Sequence, residues 1–187
     1  MQTKGMLGPA IIASLSSSIW TFKRTLISQL KSCPSGVAHG EICFEPLIGE
    51  PLSLCYKETG KFETSSGMTF DITSQYIYSS STTLDVDVHF ALLSNDGDVW
   101  SKGGHFVSLD FILQKDENTE KDEKDEDNNT RIAKAEHFCP KDNYNAIYKF
   151  AFNKEQVEGI EITFNVKGPE KDYNSVTELS PCRLPGT

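Results

Sequence analysis

The sequence predicts an all-β protein, an antiparallel up-and-down meander of about 8–10 strands arranged as a barrel or a sandwich, with a short N-terminal helix as an accessory. Three observations carry this. Apolar residues alternate with a period of two, and helical periodicity is almost absent. Turn residues interrupt the alternation at short intervals. The strand-like runs follow one another without intervening helices, which favours hairpin connections over crossovers.

Taken in order, residues 1–18 form an N-terminal segment that can supply a helix closing one end, and 19–182 form one barrel domain. Residues 19–30 place Trp20, Phe22, Arg24 and Leu26 on one face. In 36–47, Ala38, Gly40, Ile42 and Phe44 share a side, and the small residues suit a tight bend of the wall. Residues 52–62 align Leu54, Tyr56 and Glu58. Strands at 69–78 and 82–93 follow; Val86, Val88 and Phe90 oppose Asp85, Asp87 and His89 in the second. The remaining strands are expected at 105–114, 132–138, 144–152, 159–167 and 171–179.

Charge excludes some functions. The net charge is −9, of which −5 lies in 115–127, with eight acids against three lysines. This run reads as a solvated loop insertion at 115–130. Without clustered Lys and Arg no nucleic-acid partner is expected, and no apolar run long enough to span a bilayer predicts a membrane role. The short apolar patch near Pro9 makes a poor secretory signal, and five cysteines at irregular spacing fit reduced thiols, so the cytoplasm or nucleus is the expected compartment.

If every connection is a hairpin, strand ends alternate between two rims. One rim then collects Glu58, His105, His137, Asp142, Tyr144, Lys171, Asp172 and Tyr173, while Trp20 and the acidic loop fall at the other. Glu58, on an inward face, needs a partner such as Arg24 or Lys171. Trp20 with Arg24 reads as a cation–π pair at the closed end. His137 ends a strand beside Cys139 and Asp142, and an imidazole titrates near neutral pH, so it is either a functional group or a turn-fixing hydrogen-bond partner. Asp142 reads equally as a cap of turn N–H groups. Lys171 and Asp172 read as an exposed ion pair, whereas Tyr144 and Tyr173 can offer hydroxyls to a pocket. Zinc would need His137, Cys139, Asp142 and His105 to converge, and no paired C-x2-C or H-x-H spacing is present. No metal or cofactor is therefore expected.

The order W-x3-R (Trp20, Arg24), G-E-I-C-F (Gly40–Phe44), L-x-Y-K-E-x-G (Leu54–Gly60), H-x-C-x2-D-x-Y (His137–Tyr144) and G-P-x-K-D-Y (Gly168–Tyr173) resembles an uncharacterised microbial family over roughly 19–180. Its members look like calycin or lipocalin-type barrels, which implies a small barrel with a polar-lined pocket. The chain departs from that pattern with Ser18 for a glycine and Glu170 for an arginine. The expectation is a binding module for a small polar or amphipathic ligand, with His137, Tyr144, Lys171, Tyr173, Glu58, Asp142, Arg24 and His105 as candidate ligand-binding residues. The alternatives are an enzyme using His137 or Glu58 as acid or base, and an interaction subunit of another protein. For the latter, the resemblance implies a histidine-triad nucleotide hydrolase as one partner.

Overall fold

A computed structural model gives the fold and describes residues 6–81, 84–95, 97, 99–112 and 129–182. Ten antiparallel strands close into a barrel: β1 (Trp20–Ser28), β2 (Gly36–Leu47), β3 (Glu50–Thr64), β4 (Thr69–Ser79), β5 (Val86–Leu93), β6 (Trp100–Phe111), β7 (Thr130–Phe138), β8 (Asn143–Asn153), β9 (Gln156–Lys167) and β10 (Tyr173–Pro181). Each strand pairs with its neighbours in sequence, and β1 pairs with β10 from Trp20↔Pro181 to Ser28↔Tyr173 to complete the ring. The barrel, rather than the sandwich, is the arrangement adopted, and it leaves no outermost strand to template aggregation. The expected acidic insertion at 115–130 lies almost entirely outside the described residues.

One end is plugged. Helix α1 (Leu7–Leu15) is a nine-residue segment, too short to be stable alone, and it is held by packing. Ile11, Ile12 and Leu15 are buried with the barrel core, and Trp20 is fully buried beneath them, its Nε1–H donating to the Leu15 carbonyl at 3.2 Å. Ser14 donates to the Glu155 carbonyl in the β8–β9 turn, tying the helix to the wall. Gly8 approaches so closely that a Cβ there would lie 2.3 Å from the Asp85 carbonyl oxygen. No helix among the described residues is long and apolar enough to cross a membrane.

Inward alternation fills the plugged half with Phe22, Ile42, Phe44, Leu54, Val86, Val88, Val107, Leu109, Phe150 and Leu179. Eight strands make a bore that side chains just fill, so ten leave room unless unusually large residues occupy it. Here the room is left in the open half.

The wall is not uniform. The β5–β6 hairpin carries two register shifts: Val88 and His89 face Val107 and His105, so Phe106 is extra, and the next shift sets Ala91 against Lys102. Such bulges bend a strand and redirect its side chains. Beyond them, Ala91 and Trp100 pack against Leu47, Cys55 and Ile77 on the outer face, and Lys102 Nζ lies 2.6 Å from Glu50 Oε2. Among the described residues, β6 and β7 share only the pairs Asp110↔Lys134 and Phe111↔Ala133, plus the Ile112 N–H to the Ile132 carbonyl. β8 and β9, in contrast, register from Asn143↔Lys167 to Asn153↔Gln156.

Candidate functional site

The open half of the barrel holds a cavity of about 380 Å³, reached from the rim formed by the β7–β8 and β9–β10 turns. Its floor is an ion pair. Arg24 on β1 donates from Nη1 to Glu58 Oε1 at 3.0 Å and from Nη2 to Oε2 at 2.6 Å, a two-pronged match between planar groups. β2 lies between these strands, but its inward positions are Ala38 and Gly40, leaving a corridor for the guanidinium. A Cβ at Gly40 would lie 2.9 Å from the Phe22 ring and 2.0 Å from the Thr59 carbonyl oxygen. Arg24 Nε donates to Thr177 Oγ1 at 2.9 Å, and the Tyr56 hydroxyl donates to Glu58 Oε2.

Burial, which disfavours the charged guanidinium, is more than offset at Arg24 by the hydrogen bonds and charge of Glu58, so its pKa is raised. Burial, followed by the charge of Glu58, raises the Tyr56 pKa well above the ordinary phenol value and keeps it a donor. Glu58 is 1% exposed, and its charge is matched inside the protein.

Above the floor the wall is aromatic. Phe106 stacks with Tyr76 (centroids 5.6 Å apart, 23° between planes) and with Phe164 (6.4 Å, 27°), and it contacts Phe90 at 5.2 Å. Tyr78 and Tyr148 line the deeper part; burial raises the pKa of both, so they remain neutral.

At the mouth, Lys171 Nζ donates to the Tyr144 hydroxyl at 2.7 Å and lies 5.4 Å from that ring's centroid. The hydrogen bond to Tyr144 is the main cause that raises the Lys171 pKa. Tyr173, His137 and Cys139 complete the rim. The His137 ring packs on Phe106 (4.9 Å) and Tyr144 (5.8 Å).

The two polar turns are joined by one side chain. Asp142 is 3% exposed, and its Oδ1 accepts from the N–H groups of Glu170 and Lys171, both at 3.1 Å. Gly168 makes room for this, since a Cβ there would fall 2.2 Å from that oxygen. Asp142→Ala, which strands two N–H groups, is expected to lower stability by about 1–3 kcal/mol, read as a shift in the urea midpoint, whereas Asp142→Asn keeps an acceptor and loses less.

Of the candidate residues, Arg24, Glu58, His137, Tyr144, Lys171 and Tyr173 line the cavity together. Asp142 does not; it caps the turn. His105 does not either. Simple alternation would set it inward with Val107 and Leu109, but the extra residue Phe106 flips it outward, where its Nε2 lies 3.0 Å from Ser108 Oγ and 3.8 Å from Asp87. The four residues considered for zinc therefore do not converge, and no group of three or more His, Cys, Asp or Glu among the described residues is placed to hold a metal.

Two pairings differ from expectation. Arg24 lies over Phe22 (5.3 Å) rather than Trp20, and Asp172 pairs with Lys167 at 2.6 Å rather than Lys171. Sequence reasoning missed Tyr76, Tyr78, Tyr148, Ser74, Ser175 and Thr177 as lining residues. The available signal was polarity on inward positions: in β10, Tyr173, Ser175, Thr177 and Leu179 grade from polar at the mouth to apolar at the plug.

A comparison with curated proteins finds no match. The model of one family matches residues 17–181, which span all ten strands of the barrel: the chain belongs to DUF6314, a family of unknown function.

Proposed function

We propose that the barrel binds a small amphipathic molecule in its open half, in the manner of calycin and lipocalin-like barrels, and does so in the cytoplasm or nucleus. The observation that carries this is the ring-lined cavity of about 380 Å³ above a floor whose ion pair is already matched. Ligand pockets commonly occupy roughly 300–1,000 Å³ and combine apolar walls with a few polar groups. Phe106, Tyr76 and Phe164 supply the apolar wall; Tyr144, Tyr173, His137 and Lys171 supply orientation at the mouth. The compartment is supported by Cys33, Cys43, Cys55, Cys139 and Cys182, all free thiols.

The test uses N-phenyl-1-naphthylamine, a neutral probe that fluoresces in apolar surroundings, together with native mass spectrometry for a co-purifying guest. Saturable probe binding is expected, with thermal stabilisation of about 2.7 kcal/mol at a hundredfold excess over Kd. Ser74→Trp, which fills the cavity from β4, is expected to abolish both. A wild-type protein that takes up neither probe nor guest overturns the reading.

A further inference from the structure

We propose that the guest of this cavity is an aromatic monoanion, a flat ring system bearing one carboxylate or sulfonate held at the mouth by Lys171 and Tyr144. This rests on the preceding reading that the cavity is a binding site, and it adds the charge and shape of what is bound.

The charge follows from the residues around the cavity. Among the lining residues described, Arg24 and Glu58 cancel each other, which leaves Lys171 as the charged side chain without a carboxylate partner. Of the neighbouring acids, Glu170 pairs with Lys141 and Asp172 with Lys167, while Asp142 accepts from the turn N–H groups beneath the mouth and its charge acts on Lys171 through space. Among the described residues, the Lys171 ammonium thus stands at the cavity entrance with a hydroxyl, not a carboxylate, as its hydrogen-bond partner. The Lys171 ammonium has hydrogens left after its bond to Tyr144, and the Tyr144 hydroxyl, accepting from Lys171, keeps its own proton to donate. Two donors at one place suit an oxyanion.

Shape follows from the rings. Phe106 lies 23° from parallel with Tyr76 and 27° from parallel with Phe164, a stack of rings that a flat guest can extend, and His137 and Phe90 flank it. Rings alone would also attract a cation, but the Lys171 charge at the mouth opposes one. The floor adds no net charge, so a second charged group on the guest has no partner there.

The experiment compares 8-anilinonaphthalene-1-sulfonate with N-phenyl-1-naphthylamine, the same ring system without the anion, by fluorescence titration of the full chain at low ionic strength. Lys171→Gln is expected to weaken the sulfonate probe about fivefold, the upper range for a solvent-exposed ion pair, and to leave the neutral probe unchanged. Lys171→Arg is expected to retain both, and added salt to erase the difference between wild type and Lys171→Gln. If both probes bind but Lys171→Gln affects neither, or affects both alike, the anion inference is overturned while the cavity reading stands. If neither probe binds wild type, or both bind Ser74→Trp as well, the cavity reading falls and the inference with it.

Discussion

Arg24→Met is expected to destabilise the barrel by about 3–5 kcal/mol at neutral pH, because it leaves the Glu58 carboxylate buried without its countercharge. The cost belongs mainly to Glu58, 1% exposed, rather than to the half-buried arginine. Tyr56 remains as a donor to it, but one neutral hydrogen bond does not replace two from a guanidinium. Arg24→Met/Glu58→Met, which removes both charges, is expected to recover most of the loss, because an apolar pair of similar volume often matches a buried ion pair. Urea unfolding of the three proteins at neutral pH decides this. A single variant as stable as wild type would mean that Tyr56 suffices to hold the charge.

Trp20→Ala is expected to cost about 3–5 kcal/mol, since it empties the space of the largest fully buried side chain under the plug. It also removes the bond from Nε1 to the Leu15 carbonyl, which fixes the last turn of α1 against the barrel. Each kcal/mol shifts the melting temperature of a chain this size by about 2–4 °C, so a drop of roughly 10 °C is the readout. Trp20→Phe keeps most of the apolar volume but not the N–H, and should fall between the two. An unchanged melting temperature in Trp20→Ala would show that the helix is not held through this residue.

Much of the fold was legible because a strand writes its two faces into alternate residues. All ten strands and the split of turns between two rims follow from that pattern, as does the meeting of His137 with Lys171 at one mouth. What was not legible depended on a single residue more or fewer. The bulge at Phe106 has no local signature, so alternation carried across it reverses His105. The start of β6 at Trp100 was missed because Gly103 and Gly104 interrupt the pattern. The partner of Glu58 was narrowed to Arg24 or Lys171, but the choice required knowing that Ala38 and Gly40 clear the path from β1 to β3. Depth along the bore, which separates cavity-lining tyrosines from packed ones, is a property of the closed ring and of no single strand.

The slender join between β6 and β7 has a mechanical consequence. A hoop of staves yields where the fewest pegs cross, and here the seam opens toward the mouth, beside Phe106 and His137, while the plugged end stays fastened by α1 and Trp20. Among the described residues, few main-chain bonds join those two staves. That flank of the bore is therefore expected to part before the β8–β9 side does.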